Sequence, residues 1–157
     1  VPQTAFSDGV HKLTVNCSDH DGNSATEKSV SFTVDTVAPT LTVTQPKENG
    51  TYVASAVFTV KGTTNDVTSS VASVVIKLNG ADQGDVAVDS AGSFEKTVTL
   101  KEGGNTIEVT ANDRAGKTTT VSRTIILDLS VPDIETVSIA PNPVNTGKSF
   151  VISAKVN

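Results

Sequence analysis

The sequence is poor in several residue types that particular protein classes need. Its 157 residues include no Met, no Trp, one Cys, one Tyr and only 6 Leu. A single cysteine excludes an internal disulfide, so the fold has to rest on apolar packing. With 12 Lys and Arg against 17 Asp and Glu, the net charge of -5 provides no basic face for nucleic acid and no polybasic membrane anchor. No apolar run approaches the roughly 18 residues of a membrane-spanning helix, and the first residues show no signal-peptide pattern.

The residues that are abundant favour extended backbone. Val contributes 24 residues and Thr 23, and both are stiff at χ1 because they branch at Cβ. Apolar and polar residues alternate over short stretches, which is typical of strands with one buried face. The composition therefore predicts a soluble, acidic, all-β protein.

An internal repeat defines the expected organisation. Residues 8–22 match residues 102–116 at an offset of 94, and residues 32–39 match residues 125–132 at an offset of 93. A looser match relates residues 40–60 to residues 133–154. A period of this length fits a sandwich domain better than a solenoid unit. We expect residues 1–37 to be the last strands of one repeat, 38–128 a complete repeat, and 129–157 the first strands of a third.

The complete repeat predicts an antiparallel β-sandwich of immunoglobulin type. Each strand has one apolar face, and that face needs a second sheet to cover it. Seven strands, A to G, are expected at residues 40–44, 54–61, 71–78, 85–88, 94–100, 105–111 and 118–127. The expected core is Phe58, Val60, Val74, Ile76, Phe94, Val98, Ile107, Val109 and Ile125.

The run from Gly92 to Gly116, GSFEKTVTLKEGGNTIEVTANDRAG, followed by Asp128 and Pro132, resembles the bacterial immunoglobulin-like (Big-type) repeats of cell-surface proteins. It is also similar to the sandwich modules appended to extracellular carbohydrate-active enzymes. The linker sequence VDTVAP at residues 34–39 resembles the junction between such repeats. The resemblance implies a bacterial module that is secreted or displayed at the cell surface, with neighbouring repeats of the same chain as its first partners.

No catalytic constellation is present in the sequence, so we expect no enzyme activity. Nucleophilic catalysis needs a base beside the nucleophile and a third group that orients the base. His11 and His20 are expected to be solvated, at a strand start and in a turn. Cys17 aligns with Ala111 and is expected to be a small core residue. The acidic residues fall mostly in turns, where Asp accepts local backbone hydrogen bonds.

Two interpretations apply to the Asp-x-x-Gly turns at Asp19 and Asp113. The simpler one is an Asx-turn, in which the carboxylate accepts nearby backbone N–H groups and the glycine takes a positive φ. The other is a site for a hard cation, because Ca²⁺ takes 6 to 8 oxygen ligands from carboxylates and carbonyls. Related surface repeats use calcium between domains, so the resemblance implies the second interpretation as well.

Sandwich topology predicts which acids could share such an ion. The B–C, D–E and F–G loops gather where the chain enters the domain, next to the E–F turn of the preceding repeat. Asp35 in the linker and Asp8 in that E–F turn should therefore approach Asp66, Asp89 and Asp113. The expected site uses Asp35 and Asp113 with help from Asp8 or Asp66, and possible calcium is the only cofactor predicted.

A lysine–asparagine isopeptide bond is not expected. Lys61 and Lys77 fall on outward strand positions, and Asn105 begins strand F at a turn, so all three are predicted to be solvated. The bond would require a buried lysine, an asparagine on a late strand and a carboxyl group beside them.

Two function classes remain open. The first is a non-catalytic spacer that supports adhesion or display in a multidomain surface protein. The alternative is a carbohydrate-binding or accessory module of an extracellular polysaccharide-degrading enzyme, with cell-wall or extracellular polysaccharide, or a host surface, as partner. Sugar rings stack on exposed aromatic faces, and Tyr52 is the one aromatic residue of the complete repeat expected to be exposed.

The two partial repeats have amphipathic strands that lack covering sheets. A lone hairpin is marginal in water, and its open edges invite pairing with another chain. We expect these end segments to be ordered only by contact, with the last strands of one chain meeting the first strands of the next.

Overall fold

The computed structural model describes residues 5–140, 142–143 and 145–156. This part of the chain contains strands and no helix long and apolar enough to cross a membrane. Twelve strands follow one another: β1 (Gly9–Val15), β2 (Lys28–Val34), β3 (Thr40–Gln45), β4 (Thr51–Val53), β5 (Val57–Asn65), β6 (Val71–Leu78), β7 (Ala81–Asp82), β8 (Ser93–Thr99), β9 (Gly103–Asp113), β10 (Thr118–Leu127), β11 (Ile134–Ala140) and β12 (Val151–Val156).

Strands β3 to β10 form two sheets, which we call the central sandwich. One sheet has the order β4-β10-β9-β6-β7 and the other the order β3-β5-β8. Alternate residues of both sheets point inward, as the period of two requires. The fold class predicted from the sequence, an all-β immunoglobulin-like sandwich, is confirmed. One pairing differs from the antiparallel pattern, because β4 runs parallel to β10.

The core lies between these sheets, and all nine residues predicted for it are buried. The inward positions of β9, Ile107, Val109 and Ala111, have no exposed surface. The core cluster comprises Val43, Phe58, Val60, Val74, Ile76, Leu78, Phe94, Val98, Leu100, Ile107, Val109, Ala111, Ile125 and Leu127.

Strand D is the main error in the predicted strand pattern. Residues 85–88 form no strand, because the segment crosses from one sheet to the other and makes one isolated bridge with each. Val86 pairs with Val74 of β6, whereas Val88 pairs with Phe94 of β8. Predicted strand B, residues 54–61, is shifted, because β5 begins at Val57 and continues to Asn65. The short strand β4 precedes it at Thr51–Val53, where no strand was expected.

Two antiparallel hairpins flank the sandwich: β1–β2, the N-terminal hairpin, and β11–β12, the C-terminal hairpin. Cys17 is exposed in the first, which corrects the prediction that it is a core residue. Its equivalent Ala111 is buried by the opposite sheet, and no sheet covers the N-terminal hairpin within the described residues.

His11 also departs from its predicted solvation. It is half-buried in β1, with its ring 4.9 Å from that of Phe6 and 5.5 Å from that of Phe32. Its Nε2 lies 2.7 Å from the carbonyl oxygen of Ser7. His20 is exposed in a turn, as predicted.

Candidate cation site at the linker

Three carboxylates from separate segments meet at one end of the central sandwich. Asp35 directly follows β2 in the linker, Asp66 directly follows β5, and Asp113 is the last residue of β9. One oxygen from each lies within 4.8 Å of the corresponding oxygens of the other two. In the described part of the chain, no other group of three or more His, Cys, Asp or Glu side chains is this close.

Strand pairing explains why Asp66 and Asp113 are neighbours. Val71, the first residue of β6, is the register partner of Asp113. The loop from β5 to β6 therefore passes over the end of β9 and brings Asp66 with it. The backbone N–H of Arg114 donates to the carbonyl of Ser70 at 3.2 Å and fastens this loop to the β9–β10 turn.

Each carboxylate is oriented by backbone amides at its Oδ1 atom. Asp35 Oδ1 accepts the N–H of Val37 at 3.1 Å, and Asp113 Oδ1 accepts the N–H of Lys117 at 2.8 Å. Asp66 Oδ1 accepts hydrogen bonds from the amides of residues 68–70 and from the hydroxyl of Ser69. These are Asx-type turns, so the simpler interpretation of the turn at Asp113 describes its local structure correctly.

The second oxygen of the two buried acids has no such partner. Asp35 is 8% exposed and Asp113 is 4% exposed. Their Oδ2 atoms are buried and accept no hydrogen bond among the described residues. A buried acceptor without a partner is costly and uncommon in native proteins. The group therefore includes two buried carboxylate oxygens that have no hydrogen-bond donor among the described residues.

Two opposing effects act on the pKa of Asp66. Partial burial raises it, but the amides of Ser69, Ser70 and Thr68 donate to the charged form, and the net result is a pKa below the usual value of 3.8. Asp66 therefore contributes a negative charge to the site at neutral pH. No Lys, Arg or His side chain forms an ion pair with any of the three carboxylates among the residues described.

Of the other acids predicted near this site, neither joins the group. Asp8 instead fastens the linker to the N-terminal hairpin, accepting the N–H and the hydroxyl of Thr36 at 3.0 Å each. Asp89 is exposed and closes its own turn by accepting the amides of Ala91 and Ser93. Topology brings these loops to the same region, but only the three acids next to the linker converge.

The next linker repeats this connection. Glu102, the repeat equivalent of Asp8, accepts the N–H of Leu129 at 3.2 Å through Oε1. Leu129 follows Asp128 in the second linker, as Thr36 follows Asp35 in the first. At both junctions an acidic residue of the E–F turn accepts a hydrogen bond from the residue that follows the linker aspartate. The other end of the first linker is also held, because the hydroxyl of Thr119 in β10 donates a hydrogen bond to the carbonyl of Pro39.

Asn105 is a structural residue that sequence reasoning placed wrongly. It is 2% exposed instead of solvated, because it shares the inward face of β9 with Ile107. Its side chain binds both the N–H and the carbonyl of Lys101 and the carbonyl of Gly103. The alternation of Asn105 with Ile107 and Val109 was the signal that could have identified it.

Lys61 and Lys77 lie on the outer faces as predicted. Each forms an exposed ion pair, Lys61 with Glu95 at 3.1 Å and Lys77 with Glu108 at 3.9 Å. Since exposed pairs of this kind contribute about 0 to 1 kcal/mol, they are marginal for stability. The Asn105 side chain contacts Lys101 only at backbone atoms, and none of its partners among the described residues is a lysine ammonium group.

A groove of about 540 Å³ lies along β5 and β8. Lys61 and Glu95 line it, together with Phe94, whose ring is 4% exposed. The groove therefore offers no exposed aromatic face. Tyr52, 69% exposed on β4, lies outside it.

Comparison with known proteins identifies similar modules. Residues 39–129 match the family model described as glucodextranase, domain B. Bacillopeptidase F of Bacillus subtilis (strain 168) is 30% identical over 126 residues, which are 80% of this chain but 8% of that protein. The fibronectin(III)-like modules of Clostridium thermocellum CbhA share the fold, with a TM-score of 0.51 and 23% identity over 80% of this chain and 66% of that chain. The resemblance to an immunoglobulin-like module is confirmed, whereas the Big-type assignment stays a prediction.

Proposed function

Because the chain belongs to the glucodextranase domain B family, we propose that it is a non-catalytic accessory module that spaces and orients neighbouring domains of an extracellular multidomain protein. The family is named after one domain of a carbohydrate-active enzyme, which supports an accessory role and a location outside the cell. Adhesion and display at a bacterial surface are further uses of the same spacer. Its partners would then be the neighbouring repeats of its own chain.

This proposal rests on the contacts that the first linker makes with both the N-terminal hairpin and the central sandwich. Asp8 binds Thr36 from the preceding hairpin, and Asp35, one residue earlier, is buried against the central sandwich. Residues 36–38 are exposed, but Asp35 before them and Pro39 after them are buried, whereas a flexible tether would lack such fixed points at both ends. The repeated Glu102–Leu129 contact supports the same design at the following junction.

Backbone relaxation of ¹⁵N-labelled protein tests the spacer directly. The amides of residues 36–38 should give order parameters close to the value of about 0.85 found for rigid backbone. Values below about 0.6, while β9 and β10 remain rigid, would mean that the linker is a flexible tether and would contradict the proposal.

Carbohydrate binding is the second candidate, favoured by the exposure of Tyr52. A single ring offers one stacking face, and the groove along β5 and β8 supplies no second exposed ring. A glycan array run with the wild type and with Tyr52→Ala separates the two functions. Binding above background that Tyr52→Ala removes would establish the accessory sugar-binding role in place of the pure spacer.

A further inference from the structure

We propose that Asp35, Asp66 and Asp113 bind one divalent cation, with Ca²⁺ preferred, and that the ion joins the linker to the end of the central sandwich. Asp35 belongs to the linker, whereas Asp66 and Asp113 belong to the sandwich, so a shared ion connects the two. This inference does not depend on the spacer function, because an ion can bind here whatever the module supports.

The spacing of the oxygens fits a calcium ion. Ca²⁺ binds oxygen at about 2.3 to 2.6 Å, so two ligands of one ion are at most about 5 Å apart. The three carboxylate oxygens meet this limit, lying within 4.8 Å of one another. Three protein oxygens leave the remaining positions of a six- to eight-coordinate ion to water and backbone carbonyls.

Burial makes the cluster hard to explain without a positive charge. Asp35 and Asp113 are more than nine-tenths buried, and like charges at this distance repel strongly when solvent is excluded. Their Oδ2 atoms face no hydrogen-bond donor among the described residues, whereas both Oδ1 atoms are held by backbone amides. A cation would neutralise the repulsion and occupy both unpartnered oxygens.

The repeat supplies an internal comparison that separates turn geometry from ion binding. Asp19 is the equivalent of Asp113, and Asp128 is the equivalent of Asp35. Both form the same Asx-type turns, accepting the amides of Asn23 and Ser130. Both are exposed and neither belongs to a carboxylate cluster in the described chain. The turn alone therefore does not require three acids to converge.

The chemistry of the ligands selects the ion. Carboxylate oxygens suit hard cations, whereas Zn²⁺ favours nitrogen and sulfur ligands, and this group contains neither His nor Cys. Mg²⁺ demands near-ideal octahedral geometry and retains several waters, so loops from three segments suit the more adaptable Ca²⁺ better. Calcium sites of extracellular modules typically have Kd values on the order of 10⁻⁴ to 10⁻³ M.

The test titrates the chelator-treated 157-residue protein with CaCl₂ and, separately, with MgCl₂. Calorimetry should give one calcium per chain. At free calcium about 100-fold above Kd, the midpoint of thermal unfolding should rise by about 10 °C. In ¹⁵N spectra, the amides of Val37, Ser69 and Lys117 should shift together, because each donates to a proposed ligand.

Variants distinguish this site from non-specific binding. Asp35→Asn and Asp113→Asn should abolish the calcium response, and Asp113→Asn should raise the midpoint in EDTA because it removes one buried charge. Asp19→Asn and Asp128→Asn should respond like the wild type. Asp35→Asn lies outside the sandwich strands, so its effect can be read even if Asp113→Asn folds poorly. Absence of saturable binding, or an unchanged response in Asp35→Asn, would overturn the proposal.

Discussion

The side-chain amide of Asn79 donates to Oδ1 of Asn105 across a distance of 3.0 Å, joining the turn after β6 to the start of β9. Asn79 Oδ1 in turn accepts the N–H of Thr106 at 2.8 Å. Because Asn105 also holds Lys101, these two asparagines connect the end of β6 to the loop between β8 and β9. His11 is the repeat equivalent of Asn105 in the N-terminal hairpin. Its ring contacts the carbonyl of Ser7, four residues earlier, just as Asn105 contacts the carbonyl of Lys101.

Asn105→Ala should therefore destabilise the sandwich by about 2 to 4 kcal/mol. The substitution removes four hydrogen bonds, three of them to part-buried backbone groups of Lys101 and Gly103. Each of these groups costs about 1 to 3 kcal/mol if it stays unsatisfied. Urea unfolding followed by far-UV circular dichroism measures the change. Lys101→Ala is the matched control, because Lys101 contributes only backbone atoms to the bracket. A loss below about 0.5 kcal/mol for Asn105→Ala would show that water replaces the amide.

Ile107→Ala should cost on the order of 2 to 5 kcal/mol, since it opens a cavity in a fully buried position. Leu13 occupies the same repeat position in the N-terminal hairpin and is 55% exposed. Leu13→Ala should change the unfolding free energy of the sandwich by less than about 0.5 kcal/mol. Equal losses for both substitutions would mean that the hairpin is covered in solution.

Gly62→Ala should destabilise the protein, by about 1 to 3 kcal/mol or more. A Cβ at Gly62 would lie 2.3 Å from Cζ of Phe94 and 2.5 Å from the carbonyl oxygen of Thr42. Gly104→Ala is the control, because its Cβ would meet no atom of the described residues within 4 Å. A lower denaturation midpoint for Gly62→Ala but not for Gly104→Ala is the expected result. Equal midpoints would show that the Phe94 ring can move aside.

These positions show what the sequence could and could not predict. Strand β6 was predicted at its observed bounds, because Val74, Ile76 and Leu78 alternate with outward residues between two turns. Residues 85–88 have similar composition but pair once with each sheet, and no local pattern encodes that crossing. Composition near a turn likewise suggested solvation for Asn105, whereas its place on the inward face of β9 decided its burial.

The candidate site was predictable in part for the same reason. Topology predicted that Asp35, Asp66 and Asp113 gather at one end of the sandwich, and the structure places them within 4.8 Å. It could not predict that Asp8 turns to Thr36, nor that Asp35 and Asp113 are nearly fully buried. Both outcomes depend on how the linker packs against the sandwich. The alternation of apolar and polar residues along the strands does not predict that packing.

Asn23→Ala should raise the pKa of Asp19. The side-chain and backbone amides of Asn23 donate to this carboxylate and hold its pKa below 3.8. A pKa that is lower in the folded state contributes stability above the unfolded pKa, and the contribution is lost as the pH falls through the folded pKa. NMR titration of the carboxyl carbons measures the change. Asp128, whose pKa Ser130 lowers, should be unaffected, and a shift of both would point to a global change.

The two hairpins should cause the chain to associate. Their apolar side chains are exposed, including Leu13 at 55% and Ile139 at 46%. Pairing of the N-terminal hairpin of one molecule with the C-terminal hairpin of another would cover both, forming a head-to-tail contact that need not close. Sedimentation should show the mass rising with concentration, and deletion of residues 131–157 should abolish the rise. A monomer at high concentration, with rapid hydrogen exchange in both hairpins, would refute this.

The parallel pairing of β4 with β10 gives the module a mechanical property. A pull that separates the two ends of the sandwich draws these strands past each other along their axes. The hydrogen bonds from Gly50 N to Thr124 O and from Asp128 N to Val53 O, both 2.9 Å, are then loaded together in shear. Two strands loaded in shear separate only when several hydrogen bonds break at once, and this lowers the unfolding rate. The unfolding rate determines how well a domain resists a pulling force. We therefore expect the pairing of the short strand β4 with β10 to resist stretching of the sandwich.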